Sequence, residues 1–299
     1  MKAEDRFAQM SAFVETLRHA SFASAAKALS LSPSAVSRRV LSLERRLGTR
    51  LLYRSTRHLK PTEAGELYFA ECTRLLAELE VVDGVLSDKE GGPHGRLRMT
   101  VPDAFGRLCM LKVLPQFLKQ YPGVDIDLEL SDTYTNLVRE GMDLAVRIGE
   151  LTDSSLVARR LSTSRRMLCA SPDYLRERGE PTVPQELEDH SCLGFSLLVS
   201  NNIWPLSRGQ ETVRVAVKGR MRANHAEALY FAALEGLGIA LLSDFIAARS
   251  LERGHLALVL PQWSISEVGI YAVYPGGRQV PRKVRAMIDF LEKNLPKDF

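Results

Sequence analysis

Helical stripes of apolar residues dominate the N-terminal part of the chain. Phe7, Met10, Phe13, Val14 and Leu17 share one face of a helix from about Asp5 to Arg18, and predict the core of a small domain. Ala25, Ala26 and Leu29 mark a second helix, Ala23 to Ser30, whose small side chains permit close approach of a neighbour. A third helix starts at Ser32. That hydroxyl is a good N-cap, and Pro33 occupies the first helical position, where its missing N–H costs nothing. Val36, Val40, Leu43 and Leu47 then recur at i, i+4, i+7 and i+11. Ser34, Ser37, Arg38, Ser42 and Arg45 fall largely outside that stripe. From Thr62 to about Lys89 a longer helix carries Tyr68, Cys72, Leu75, Leu79, Val82 and Leu86 at alternating spacings of four and three. This is the 3.5 repeat of a coiled-coil seam, and it favours a partner helix over packing within one domain.

After the hinge-like run Gly91-Gly92-Pro93-His94-Gly95 the period changes. Leu97, Met99 and Val101 alternate with polar neighbours. So do Val124, Ile126, Leu128 and Leu130, separated by Asp125, Asp127 and Glu129, and then Leu144, Val146 and Ile148. Leu111–Gln120 and Thr135–Gly141 read as helices between these strands. Further strands are expected at Met167–Ala170, Val213–Val217, Ile239–Leu242, Leu256–Leu260 and Val268–Tyr274. Further helices are expected at Ala226–Glu235, Phe245–Leu251 and Val284–Leu295. Alternating strands and helices make this an α/β body.

Charge sharpens the division. Residues 1–65 hold 12 Lys and Arg against 5 Asp and Glu, a surplus of +7; residues 66–299 hold 28 against 31, or −3, leaving the net +4. Arg54, Arg57 and Lys60 lie in one short segment with no acid between them, as suits a polyanion partner. The four cysteines, Cys72, Cys109, Cys169 and Cys192, form no Cys-x-x-Cys pair and have no histidine at zinc-ligand spacing, so buried free thiols are expected, with no metal and no cofactor. No signal-peptide core or membrane-length apolar run is present, which points to a cytoplasmic protein that does not touch a membrane. Enzyme signals are weak. Gly194-Phe195-Ser196 lacks the second glycine of a nucleophile elbow, and Gly236-Leu237-Gly238 lacks the third glycine of a dinucleotide loop.

The residues Ser21-Phe22, Ala25-Ala26, Leu29, Ser32, Ala35-Val36-Ser37-Arg38-Arg39, Leu43-Glu44, Leu47-Gly48, Leu51-Leu52, Arg54, Thr56-Arg57 and Thr62-Glu63-Ala64-Gly65 carry a resemblance at fixed spacing. Together they resemble the N-terminal domain of LysR-type transcriptional regulators. Asp143–Gly149, Leu156–Leu161, Ala170–Leu175 and Gly236–Ala240 look like that family's effector-binding region. The resemblance implies an N-terminal all-α winged helix-turn-helix on residues 1–61, a linker and dimerisation helix on 62–90 and a hinge on 91–95. It further implies a C-terminal α/β two-lobed, periplasmic-binding-protein-like effector domain on 96–299. Lobe one would take 96–161 and 267–299, and lobe two 162–266.

The function expected is a DNA-binding transcription regulator, not an enzyme, that senses a small metabolite. The alternatives are a cytoplasmic small-molecule-binding protein and an enzyme with an N-terminal regulatory domain. For promoter DNA the expected residues are Ser34, Ala35, Ser37 and Arg38 in the groove with Arg39 at its edge, and Arg54, Arg57 and Lys60 on phosphates. Ser21, Ser32 and Pro33 at the helix starts complete the set. In the implied two-lobed fold ligands sit at strand ends and helix starts, which selects Thr100, Pro102, Asp103, Phe105, Ser131, Asp132, Thr133, Arg147, Phe195, Asn224 and His225. Arg147 suggests a carboxylate, whereas Asp103 and Asp132 would suit a polyol or amine. An internal pairing of Arg147 with Asp143 is the competing expectation. The seam on the long helix implies a homodimer, the resemblance a homotetramer as well, and RNA polymerase is a possible further partner.

Overall fold

The computed structural model describes residues 3–54, 59–86, 92–134, 136–151, 156–197, 203–276 and 280–299. Arg57 and Thr135, and the side chains of Arg54, Val82 and Leu86, lie outside the described residues.

Three helices, α1 (Ala3–Arg18), α2 (Phe22–Ala28) and α3 (Pro33–Leu47), form the first unit. They pack around Ala12, Phe13, Val14, Ala25, Ala26, Val36, Val40 and Leu43. Strands β1 (Leu52–Arg54) and β2 (Leu59–Pro61) pair antiparallel, Tyr53 opposite Lys60, and lead into α4 (Glu63–Leu86). Phe7, expected inside, is 44% exposed. Phe13 and Val14 are buried as expected, Met10 and Leu17 pack against the same core, and Gln9, Ala12 and Thr16 are buried beside them. The buried polar side chains find partners: Gln9 donates to Ser42 at 3.1 Å and accepts from Arg46 at 3.2 Å, and Thr16 donates to the Ala12 carbonyl at 2.6 Å.

The second unit begins with β3 (Gly95–Val101), the one-turn α5 (Asp103–Phe105), a π-helical turn over Gly106–Met110 and α6 (Leu111–Gln120). Next come β4 (Val124–Leu130), α7 (Leu137–Glu140), β5 (Leu144–Ile148) and the long β6 (Leu156–Ala170). After it come α8 (Pro172–Arg178), β7 (Cys192–Phe195), β8 (Ile203–Arg208), β9 (Glu211–Ala216) and β10 (Arg222–Ala223). The chain ends through α9 (Ala226–Leu234), β11 (Ile239–Ser243), α10 (Asp244–Glu252), β12 (Ala257–Leu258), β13 (Ile265–Pro275) and α11 (Arg282–Asn294).

One nine-stranded sheet runs β10-β7-β11-β6-β13-β5-β3-β4, with β12 also on β6. Strand β4 lies at its edge, so Asp125, Asp127 and Glu129 alternate outward to solvent. Two lobes share the sheet. In lobe one, β3, β4 and β5 are parallel and are covered by α6 and α11, around Leu97, Met99, Phe117, Met287 and Leu291. In lobe two, β7, β10 and β11 pack with α9 and α10 around Leu193, Leu229 and Ala240, and the hairpin β8–β9 covers Trp204 and Leu206. Strand β6 belongs to both lobes: it pairs with β13 from Leu156 to Arg166, and with β11 from Arg166 to Cys169.

Aromatic and polar contacts fix the crossing. Phe105, Phe245 and Phe299 meet edge-on with centroids 5.4–5.7 Å apart. Asp244, 5% exposed, accepts from the Ser164 hydroxyl at 2.7 Å and the Arg165 amide at 2.8 Å. Cys72, Cys109, Cys169 and Cys192 are all buried and free. Burial raises their pKa values, Cys72 to about 11 and the others to about 12, so they stay protonated at neutral pH. Among the described residues, no helix is long and apolar enough to cross a membrane.

Candidate nucleic-acid interface and inter-lobe effector site

The start of α3 is built from local chemistry. Ser32 accepts from the Ala35 amide at 3.2 Å, its hydroxyl lies 3.0 Å from that of Ser34, and Pro33 fills the first turn. Ser21 caps α2 in the same way, accepting from the Ser24 amide at 3.3 Å. Gly48 ends α3 with φ of +68°, a conformation that favours glycine. With Val36, Val40 and Leu43 buried, the opposite face presents Ser34, Arg38 and Arg45 to solvent, with Ala35, Ser37 and Arg39 half-buried beside them. Arg46 is withdrawn from that surface, donating to Gln9 and to the Tyr68 hydroxyl, each at 3.2 Å.

The wing is held against α3 by side chains near the end of α3 and just after β2. Glu44 accepts the amides of Leu51 and Leu52 at 2.9 and 3.1 Å. Thr62 donates to the Arg50 carbonyl at 2.8 Å and accepts from the Gly65 amide at 3.0 Å, which caps α4. Gly65 crosses so close to the wing that an added Cβ would lie 2.0 Å from the Leu51 carbonyl oxygen. Lys60 stays exposed on β2. The wing strands thus stand beside the exposed face of a capped helix whose start carries the positive end of its dipole, an arrangement suited to a groove flanked by phosphates.

On α4, Cys72 is 1% exposed and joins Phe69 and the half-buried Tyr68 in the small domain's own core, with the Tyr68 ring 5.8 Å from that of Phe13. Leu67, Leu75 and Leu79 are 69%, 42% and 38% exposed.

The C-terminal unit gathers most of its expected residues at the lobe junction. Asp132 accepts the Asp103 amide at 3.0 Å, which ties the end of β4 to the start of α5. The Ser131 hydroxyl accepts from the Thr133 amide at 3.2 Å. Thr100 is buried on β3, Pro102 is half-buried, and Phe105 is a core residue with no exposed surface, so its side chain faces away from any ligand. Across the junction, His225 stands at the start of α9, with its Nε2 2.9 Å from Asp103 Oδ2. Arg107, on the π-helical turn, donates to Asp103 at 3.1 Å and also pairs with Glu227 of α9. Phe195, at the end of β7, is half-buried beside Ala223 of β10, and Asn224 is exposed.

Arg147 does not pair with Asp143, which accepts from the Arg98 amide at 2.9 Å and lies 3.1 Å from Lys283. Instead the Arg147 guanidinium lies over the Tyr134 ring, 4.7 Å from its centroid. Arg166, absent from the sequence-based set, sits where β6 passes from one lobe to the other, opposite Ser243 and Ile265. Its guanidinium approaches the Gly149 backbone. Burial lowers the pKa of both arginines, Arg166 more deeply enclosed than Arg147, and Tyr134 acts on both in the opposite sense. Nothing in the sequence around Arg166 marks it out, since it lies in a run of polar strand residues whose facing is set by the crossover.

A winged helix-turn-helix joined by a long helix to a two-lobed α/β unit defines a DNA-binding regulator with an effector domain. Residues 7–66 match the bacterial regulatory helix-turn-helix protein model of the lysR family, and residues 90–296 match the LysR substrate binding domain. The chain belongs to the LysR-type transcriptional regulators, a family of regulators and not of enzymes. It is 40% identical over 290 residues to an HTH-type transcriptional regulator of Xanthomonas campestris pv. campestris, covering 96% of this chain and 84% of that protein. Identity to the regulator PtxR of Pseudomonas aeruginosa is 38%, over 96% of this chain and 92% of PtxR. The fold is similar to that of the full-length Vibrio cholerae virulence activator AphB, at 33% identity and a TM-score of 0.62 over 97% of this chain and 98% of that one. It is equally similar to CrgA of Neisseria meningitidis, at 34% identity and a TM-score of 0.62 over 98% of both chains.

Proposed function

We propose that this regulator acts in the cytoplasm, reads promoter DNA through the exposed face of α3 with the β1–β2 wing on phosphates, and is controlled by a small carboxylate bound between its lobes. Residues 1–61, 62–90 and 96–299 would then serve as reader, dimerising linker and sensor. The carboxylate reading rests on one observation: Arg147 and Arg166 converge near Tyr134 and Gly149 where the shared strand crosses between lobes. Arg166, the more enclosed of the two, has Glu150 near enough to favour its charged form but no ion pair among the described residues. A desolvated guanidinium stays charged, and a planar anion held bidentately offsets its lost hydration. Ser131 and Thr133, at the end of β4, would add neutral hydrogen bonds to the rest of the ligand.

A screen of small carboxylates for thermal stabilisation of the intact chain tests this. A ligand at a hundredfold excess over its Kd contributes about 2.7 kcal/mol. The stabilisation should vanish in Arg166→Gln and weaken in Arg147→Gln. A carboxylate that stabilises both variants as fully as the parent would move the anion site elsewhere.

A further inference from the structure

Asp103 lies 122 residues from His225 in sequence, whereas His225 and Glu227 are neighbours at the start of one helix. The fold nevertheless brings one oxygen or nitrogen from each to within 4.8 Å of the others. Asp103 comes from lobe one, at the start of α5; His225 and Glu227 come from lobe two, at the start of α9. We propose that these three side chains form a site for a divalent first-row transition cation that clamps the two lobes together.

Three observations carry the proposal. The donor set is mixed, one imidazole and two carboxylates, which suits ions such as Zn²⁺, Co²⁺ or Mn²⁺ better than Ca²⁺ or Mg²⁺, which prefer oxygen alone. Next, a cation already lies between the two carboxylates: the Arg107 guanidinium reaches Asp103 at 3.1 Å and also pairs with Glu227. Its side chain is 47% exposed and stands on a π-helical turn, so it can swing into water and leave both acids to a metal. Finally, anions are in excess. Two carboxylates, Asp103 and Glu227, share the single guanidinium of Arg107 among the described residues. One oxygen of Asp132 is buried with no hydrogen-bond partner, and the other accepts the Asp103 amide. A divalent ion in place of Arg107 offsets the charge of Asp103 and Glu227 completely.

The geometry needs only a small adjustment of side chains. Donors about 2.0–2.2 Å from a tetrahedral ion stand about 3.4 Å from one another. The 2.9 Å between His225 Nε2 and Asp103 Oδ2 would lengthen slightly and Glu227, whose oxygen lies within 4.8 Å of both, would adjust to it, so the ion joins the two lobes near their present spacing. His225 Nε2, now directed at Asp103, would give its lone pair to the ion, with the proton moved to Nδ1. A fourth position stays open to water.

Titration of the tag-free, chelator-treated full-length chain with Co²⁺, followed by visible absorption and calorimetry, tests the site. One Co²⁺ per chain should bind, with Zn²⁺ displacing it. His225→Gln and Asp103→Asn should each weaken binding tenfold or more. Arg107→Gln should tighten it, because the competing cation is gone. Far-UV circular dichroism and metal-free unfolding midpoints establish that the variants fold, and a gain of affinity in Arg107→Gln cannot come from misfolding. Equal Co²⁺ affinity in the parent and His225→Gln would overturn the proposal. So would weaker binding in Arg107→Gln, or no binding by parent and Arg107→Gln alike at millimolar Co²⁺. No carboxylate is present in the titration, so its failure leaves the anion reading at Arg147 and Arg166 standing.

Discussion

His190 shows how a single side chain sets a pH limit. Its Nδ1 lies 3.1 Å from the Tyr174 hydroxyl, which in turn accepts the Ser191 amide at 2.9 Å. Partial burial holds its pKa below the ordinary 6.5, against the opposing pull of Glu186 and Asp189. Above pH 6.5 the imidazole is neutral in both folded and unfolded chains, and its titration leaves stability unchanged. As pH falls below 6.5 the unfolded chain takes up the proton first, so native stability declines until the folded imidazole is protonated as well. The unfolding midpoint should therefore drop more steeply between pH 6.5 and 5 in the parent than in His190→Gln. Parallel profiles would show that this imidazole does not report on folding. Single residues also mark the limit of sequence reading. Ser32, Pro33 and Gly48 are legible because a helix cap acts within a few residues. Glu44 and Gly65 enter only through the family resemblance, because their roles depend on the wing amides one accepts and the Leu51 carbonyl crowding the other.

At the level of elements, α3 offers the sharpest separation of roles. Arg38 lies on its exposed face, whereas Lys60 lies on the wing. A bidentate arginine–guanine pair is worth about 1–3 kcal/mol of discrimination, and a phosphate contact carries no sequence information. Genomic fragments enriched on the pure protein supply the specific DNA. Arg38→Ala should lose affinity for such a fragment while its affinity for random duplex changes little. Lys60→Ala should lose affinity for both and reduce the slope of log affinity against log salt by about one. Equal losses of Arg38→Ala on the two DNAs would remove Arg38 from base reading. The strands β4 and β5 could be read from the sequence because one alternates in solvent-facing acids and the other is apolar. Strand β6 was legible only at its end, Met167–Ala170. Over Arg159–Arg166 it changes sheet partners and carries polar residues on both faces, so no period of two survives. The β8–β9 hairpin was legible only at its second strand, and the junction residues Arg107, Arg166 and Glu227 carried no local signal, since each acquires its neighbours by the crossover alone.

At the level of the whole molecule, the exposed leucines of α4 offer a test of whether copies pair through this helix. The heptad spacing placed six residues in one seam, but the single chain already covers Cys72 with Phe69 and the Tyr68 ring with Phe13. Burial at those two positions therefore needs no partner. Leu75 and Leu79, one helical turn apart, stay open to solvent at 42% and 38% exposure. Fully burying a leucine contributes about 1.5–3 kcal/mol, and a two-fold axis brings four such side chains together from two helices. It would also present two copies of α3 to two half-sites. In Leu79→Lys the seam would bury a lysine against its symmetry mate, at a cost of several kcal/mol. The variant should sediment as a monomer at concentrations where the parent is a dimer or larger. Its small domain should keep its helical circular dichroism, because Cys72 and Phe69 remain covered within the chain. Affinity for a two-half-site fragment should fall far more than affinity for random DNA. An unchanged sedimentation coefficient would place the subunit interface away from this face of α4, and Leu75 and Leu79 would then be surface residues without a partner helix.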